Sequence, residues 1–457
     1  MLNLQNMKKK NIIFICTDQQ SAAMMSCTGN KYLKTPAIDS LAENGVRFER
    51  AYCSNPICIP SRFSMFTGRM PSEIGLKENG FPWSKERCSK FLDEYKKNAL
   101  GWIIKNAGYE TKYGGKVHLP CRTTAEEIGF DYICEDERDE LAAVCADYIK
   151  QKHDKPFFLV ASFINPHDIC LLAMKKFADE GHDKHLVDIQ DLEIAVLEKA
   201  LKIPDGISED EFFDKYCPPL PPNFEPQKDE PYGVKKIVNQ RKFKKEAREK
   251  WSEKEWRMHR WAYAKLTELV DSQIAKLLDA VKDAGIEEET VIIFASDHGD
   301  MDSAHKLEHK SVLYEEAARV PLIICEPGKS RKTVDKTHLV STGLDLFPTI
   351  CDYAGIKPPE HIKGRSLKPI VDGEIVNDWR KFVYVEGTFG DMIISKRFKY
   401  MMHDEGEHAE QLMDLEKDPY EMKNYAYLPE NKEVLEELRA QFKKIPKVEQ
   451  VDKNVYN

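Results

Sequence analysis

The sequence has 457 residues, 42% hydrophobic and 32% charged, with 21 Phe, 18 Tyr and 6 Trp, which excludes disordered and fibrous classes and suits one large core or several ordinary domains. A formal net charge of -9 supplies no general attraction for nucleic acid or an anionic membrane, so an anionic substrate has to be drawn by a local group of cations. The longest apolar runs fall well short of the ~20 residues a membrane helix needs.

In chain order, Lys8, Lys9 and Lys10 precede an apolar run at 11–16 that meets Asp18 with no small-residue cleavage site behind it. The expectation is a cytoplasmic chain, or a periplasmic or secreted one if a leader was trimmed. Thr35, Pro36 and Gly45 bracket a helix with Ile38, Leu41 and Ala42 on one face. The run 157–163 is apolar at consecutive positions, like 11–16, the pattern of a strand covered on both faces. From about 168 to 255 the texture turns charged and helical, then proline-rich at 217–222, and reads as an insertion. Within it the basic run Lys235, Lys236, Arg241, Lys242, Lys244, Lys245, Arg248 and Lys250 reads as a solvated helix face, with sulfated-glycan binding as the lesser alternative. Helical spacing returns over about 256–284 through Leu266, Leu269, Val270, Ile274, Leu277 and Val281. Two more buried-strand runs follow at 291–295 and 320–325. Strands alternating with helices predict an α/β sandwich with a large, mostly parallel sheet over residues 1–375. Residues 376–457, with short β segments at 381–385 and 392–395 and a last helix aligning Val434, Leu435, Leu438 and Phe442, predict a small α+β subdomain with an antiparallel sheet. The 12 cysteines form no Cys-x-x-Cys unit, and Cys16, Cys325 and Cys351 lie in apolar segments, so most are expected to be reduced and buried.

The most informative stretch is Cys58-Ile59-Pro60-Ser61-Arg62, followed by Thr67-Gly68. Pro60 suits the start of a short helix and Gly68 its end, which sets Cys58 just ahead of free backbone N–H groups, where an anion is favoured. Arg62, four residues on, falls on the same side of the first turn and can face Cys58. A lone cysteine there would ordinarily be a small buried hydrophobe; partners elsewhere in the chain argue otherwise. Asp18-Gln19 follows the first buried strand and Asp297-His298-Gly299 the third, so two carboxylates leave the ends of core strands, where α/β sheets place their sites. Either alone would ordinarily be a turn or cap residue. In Gly114-Gly115-Lys116-Val117-His118, the residues Lys116 and His118 point the same way if the segment is extended. Asn165-Pro166-His167 follows the second strand, and His309-Lys310 lies ahead of Tyr314.

These stretches resemble the type I, formylglycine-dependent sulfatases of the alkaline phosphatase superfamily, with no departure at the fixed positions around Cys58, and Leu412-Met413-Asp414-Leu415 through Asp418-Pro419 resembles their closing motif. The resemblance implies an alkaline-phosphatase-like fold that hydrolyses a sulfate monoester, on a carbohydrate as the broad family expectation. It implies that a maturation enzyme oxidises Cys58 to formylglycine, whose hydrate has one oxygen to attack sulfur and another to help expel sulfate. It assigns Asp18, Asp297 and His298, with Gln19, to one divalent cation. Calcium suits this set best, and the imidazole leaves magnesium or manganese open. It gives Lys116 and Lys310 to the sulfate, His167 to the sulfate and the leaving-oxygen proton, and His118 to the proton removal that regenerates the aldehyde; Arg62 is read as favouring an ionised oxygen at residue 58. His305 and His309, near Lys310, are substrate candidates or surface side chains. Many sulfatases have Asp-Asp and Asp-Asn where this chain has Asp18-Gln19 and Asp297-His298, a pairing that also resembles phosphonate monoester and phosphodiester hydrolases. The cationic set Lys116, His167 and Lys310 favours sulfate. A non-catalytic sulfoglycan-binding protein with unmodified Cys58 is the alternative of another class.

Overall fold

Consecutive apolar residues make a stable strand only where both faces are covered. The computed structural model, which describes residues 9–79, 85–329 and 332–445, covers them with helices. In chain order the strands are β1 (Asn11–Asp18), β2 (Val46–Phe48), β3 (Ala51–Tyr52), β4 (Glu110–Gly115), β5 (Asp131–Cys134), β6 (Phe157–Pro166), β7 (Thr290–Ser296), β8 (Leu322–Cys325), β9 (Thr333–Asp335), β10 (Val340–Ser341), β11 (Val383–Gly387), β12 (Gly390–Ile394), β13 (Phe398–His403) and β14 (Glu410–Asp414). The 8-stranded central sheet runs β5-β4-β6-β1-β7-β8-β2-β9. β1 is its axis, pairing in parallel with β6 at Ile12–Phe158 and with β7 at Ile12–Val291. β4 and β5 extend the parallel half, whereas β8 runs antiparallel to both neighbours, β7 and β2. The mostly parallel α/β architecture expected from the sequence is present, and the segment at 320–325 is the strand that breaks its direction.

Side chains alternate across β1, so one strand feeds two cores. Ile12, Phe14 and Cys16 join Phe66, Tyr113, Phe130 and Phe347 on one side. Ile13 and Ile15 join Leu141, Cys145, Val270, Ile274 and Leu277 on the other. Each such side chain, at essentially no exposure, contributes on the order of 1.5–3 kcal/mol of transfer free energy. The second core is closed by the helix Glu253–Asp283, started by a capping box between Ser252 and Glu255. Its N-terminal part leaves the sheet and packs Trp256, Tyr263 and Leu266 against Leu197, Phe243 and Trp251 of the preceding helical stretch.

The 4-stranded antiparallel sheet β11–β14 packs Val383, Val385, Met392 and Met401 against Tyr52, Leu313 and Ala318. Its other face takes Leu435, Leu438 and Phe442 of the helix Lys432–Phe442. Lys399, with no exposed surface, is set between Glu315 at 2.9 Å and Glu421 at 2.6 Å. Cys88 and Cys121 are disulfide-bonded, a pair not anticipated from the spacing; the other cysteines are free, most of them buried. Among the described residues no helix is long and apolar enough to cross a membrane.

Candidate active site

Four neighbouring parallel strands deliver the site. β4 ends at Gly115 ahead of Lys116, β6 at Pro166 ahead of His167, β1 at Asp18 itself, and β7 at Ser296 ahead of Asp297. All lie at the carboxyl edge of the sheet, where such folds bind ligands. Gly115 permits the turn: its φ is 83°, a Cβ there would lie 2.1 Å from the Ser162 carbonyl oxygen, and the next N–H, of Lys116, donates to that carbonyl at 2.8 Å.

Facing this edge is the helix Cys58–Thr67, every residue of which is buried. It begins at Cys58, with Pro60 inside its first turn and Gly68 ending it at φ 66°. The Cys58 Sγ lies 3.0 Å from Lys310 Nζ, 3.2 Å from His298 Nε2 and 3.7 Å from Asp18 Oδ1, with His118 and His167 near enough to influence it. Burial opposes ionisation of this thiol, but Lys310, Lys116 and His298 outweigh it and hold Cys58 well below the usual thiol range.

Arg62 does not face Cys58 as its spacing suggested. Its fully buried guanidinium donates from Nε to Asp297 at 2.8 Å, from Nη2 to Asp18 at 3.2 Å, and from Nη1 to the Lys116 carbonyl at 2.9 Å and Ser162 Oγ at 2.8 Å. A buried guanidinium has to find partners for its fork of donors, and these two carboxylates supply them. Arg62 therefore ties the ends of β1 and β7 together and fixes the ligand pair from behind.

Asp18 also takes Lys116 Nζ at 2.7 Å. Burial and the Cys58 charge push its carboxyl upward, yet Lys116, His167 and Lys310 leave it well below its ordinary value. Asp297, raised by burial and by Asp18, accepts the Gln19 and His298 backbone N–H groups. His298 Nδ1 sits 2.8 Å from the Gly299 carbonyl, which makes Nδ1 the donor and leaves Nε2 facing Asp18 and Asp297, 3.7 Å from each, where it would offer a lone pair to a bound cation. Asp18, Cys58, Asp297 and His298 present atoms within 4.8 Å of one another. Two carboxylates, an imidazole lone pair and residue 58 are a donor set that fits one divalent cation.

Gln19 stands differently from the expected ligand. Its Oε1 accepts from Lys310 Nζ at 2.7 Å and Cys170 Sγ at 3.0 Å, and its Nε2 donates to Asp300 at 2.6 Å, so the carboxamide orients Lys310. Lys310 itself is half surrounded by negative partners: burial opposes its charge, but Cys58, Cys170 and Asp18 raise its pKa. His167 is pushed down to about 3 by burial and by Lys116 and Lys310, so without a bound anion it is neutral, not the near-neutral acid its position suggested. His118 is exposed at the rim. His305 corrects the surface reading: it is fully buried, stacked on Tyr314 at 4.1 Å and bonded through its backbone N–H to the Asn223 carbonyl. His309 lies next to the site, with Phe243 at 5.3 Å and its Nδ1 on Glu308.

Ser162, Cys170 and Asp300 escaped the sequence reading. Ser162 carries a faint signal, as a lone hydroxyl inside an apolar strand, and Asp300 follows the Asp297-His298 pair; Cys170 looks like any buried thiol.

An α/β sandwich whose strand-end loops gather two carboxylates, three imidazoles and two lysines about one nucleophile position defines a hydrolase of the alkaline-phosphatase-like class. The sulfatase family model matches residues 10–356, and a model described as N-sulphoglucosamine sulphohydrolase, C-terminal, matches residues 303–448. The chain belongs to the sulfatase family and is a hydrolase acting on sulfuric esters. It is 28% identical over 460 residues to a Delta 4,5-hexuronate-2-O-sulfatase of Bacteroides thetaiotaomicron, covering 95% of this chain and 88% of that protein. A solved 2-O GAG sulfatase superposes with a TM-score of 0.77 at 26% identity, over 95% of this chain and 91% of that one. The phosphonate monoester hydrolase of Agrobacterium radiobacter shares the fold, with a TM-score of 0.69 at 19% identity over 95% of this chain and 96% of that one.

Proposed function

We propose that this sulfatase releases inorganic sulfate from a sulfate monoester of a carbohydrate, with residue 58 as the nucleophile once a maturation enzyme has oxidised Cys58 to formylglycine. The supporting observation is the convergence on one buried sulfur of Lys310 at 3.0 Å, His298 at 3.2 Å and Asp18 at 3.7 Å. A hydrated aldehyde at position 58 would supply two hydroxyl oxygens on one carbon, one to attack sulfur and one to help expel sulfate, which a thiol cannot do. Asp18, Asp297 and His298 would hold one divalent cation, for which calcium is our first choice, and it would supply positive charge favouring an ionised oxygen on residue 58.

The chain's own groups do the rest. Lys116 and Lys310 bind sulfuryl oxygens and offset charge that builds on them. Arg62 keeps the two carboxylates in place throughout. His167 is neutral in the free pocket because two lysines face it; an arriving sulfate partly cancels their effect, so His167 takes up a proton on binding and hands it to the leaving alkoxide. His118, at the exposed rim beside residue 58, removes a proton there after the alcohol has left.

Two measurements test this. Mass spectrometry of the Cys58 peptide from the native host is expected to show the aldehyde, and Cys58→Ala is expected to abolish sulfate release; near-normal release by that variant would exclude the mechanism. Because Gln19 and His298 also suit the phosphonate rival, paired aryl sulfate and aryl phosphonate esters are compared. Faster turnover of the phosphonate would reassign the substrate while keeping the nucleophile.

A further inference from the structure

A cavity that shares Lys310 with the site holds a cation that the reaction above leaves unused. Lys244 sits on the helix Lys242–Lys250 and, with Lys306, Glu308 and Lys310, lines one cavity. Most of the basic run around it is matched: Lys236 pairs with Glu405, Arg241 with Asp183, Lys242 with Asp179, Arg248 with Glu230 and Lys250 with Glu246. Among the described residues Lys244 makes no ion pair and no side-chain hydrogen bond. Burial pushes its pKa down and so do Arg241 and Lys310, with Glu308 the leading influence in the other direction. Lys244 thus brings an unpaired side chain to a cavity also lined by Lys310, whose ammonium is 3.0 Å from Cys58 Sγ.

A second group in the same cavity is also unsatisfied. Glu308 is 6% exposed; its Oε2 meets His309 Nδ1, while Oε1 has no hydrogen-bond partner among the described residues. A buried carboxylate oxygen left without a donor is costly, and burial accordingly pushes Glu308 up to about 7, so it repels an incoming anion only weakly near neutrality. His309 packs its ring on Phe243, the residue before Lys244, which locks the lysine's helix to the loop carrying Lys310.

We propose that Lys244 binds a second anionic group on the sugar ring that carries the sulfate ester, a carboxylate or a further sulfate, and that Glu308 accepts a hydroxyl of the same ring. This rests on the sulfatase reading of residue 58. The preferred substrate is then a saccharide with two negative charges within one ring: Lys310 and Lys116 take the ester to be cleaved, and Lys244 takes its neighbour.

The test uses matched pairs. Glucuronate 2-sulfate is set against glucose 2-sulfate for the carboxylate source, and glucosamine N,6-disulfate against N-acetylglucosamine 6-sulfate for the second-sulfate source. In at least one pair the dianion is expected to have a kcat/KM higher by about tenfold or more, carried by KM, the size of one charge-assisted hydrogen bond. Lys244→Met is expected to remove most of that advantage, with a much smaller change for the monoanion. The same pairs are titrated calorimetrically against Cys58→Ala, with and without Lys244→Met, to read binding apart from turnover. Equal or better handling of the monoanions, or equal losses for both members in Lys244→Met, would overturn the Lys244 subsite and leave the sulfatase chemistry standing. A Lys244-dependent binding preference in a protein that releases no sulfate from any of the four would do the reverse.

Discussion

Arg62 and Lys399 look alike in isolation. Each is a cation with no exposed surface, set between two carboxylates: Asp18 and Asp297 for Arg62, Glu315 and Glu421 for Lys399. Their surroundings separate them. The carboxylates of Arg62 keep lone pairs turned toward Cys58 and His298, whereas Glu315 is also met by Arg319 at 3.1 Å and the Tyr52 hydroxyl at 3.2 Å, and Glu421 Oε2 accepts the Glu315 backbone N–H. One buried cation thus holds two carboxylates against the nucleophile position; the other, which also donates to the Leu313 carbonyl, joins the four-stranded sheet to the main body. Burial of a paired charge does not by itself mark function. What its partners face does.

The widest separation between the two is expected on replacing each with methionine. Arg62→Met leaves two buried carboxylates facing each other, so a loss of about 3–5 kcal/mol is expected in denaturant unfolding together with a fall in kcat of about a thousandfold or more; activity within tenfold of wild type would end its positioning role. A chelator comes next: removing the divalent cation is expected to abolish turnover and lower Tm, with recovery of both on adding back calcium, magnesium or manganese identifying the ion. A melt unchanged by chelation would contradict the assignment of Asp18, Asp297 and His298. Lys399→Met is expected to cost about 3 kcal/mol, read by denaturant unfolding, while kcat/KM stays within about threefold; a large kinetic loss would erase the distinction.

The smallest effect concerns pH. His259 is buried in the long helix, and among the described residues neither ring nitrogen has a hydrogen-bond partner; burial pushes it down to about 4. Its folded-state pKa is depressed, so the stability it carries is complete above the unfolded value near 6.5 and is lost as pH falls toward about 4, amounting to about 3 kcal/mol at roughly 1.4 kcal/mol per unit. Thermal melts between pH 7 and 4 are expected to fall less steeply in His259→Phe; an unchanged slope would assign the acid sensitivity to other groups.

Much of the sheet was legible because uninterrupted apolarity needs cover on both faces, which identified β1, β6, β7 and β8. Direction was not: the run at 322–325 carries the same residues whether parallel or antiparallel, and only the pairing with β7 and β2 decides. The strand-end motifs placed Asp18, Lys116, His167 and Asp297 at the sheet's carboxyl edge because their separation from the strands is fixed by a single residue or none. Contacts made by longer side chains were harder. Helical spacing put Arg62 on a side but could not name its acceptors, and Gln19 turned toward Lys310 and Asp300, both distant in sequence. His305 reads like a surface residue in its polar loop, yet the loop folds it under Tyr314.

Because side chains on a strand reverse face at every step, losing or gaining a single residue in β1, β4, β6 or β7 would swing Asp18, Lys116, His167 or Asp297 away from the common point. The helices between β6 and the long helix carry no such constraint. Reach and tolerance are thereby divided within one chain: the sheet's register is fixed by the four side chains it aims, while the peripheral helices can change length without moving them.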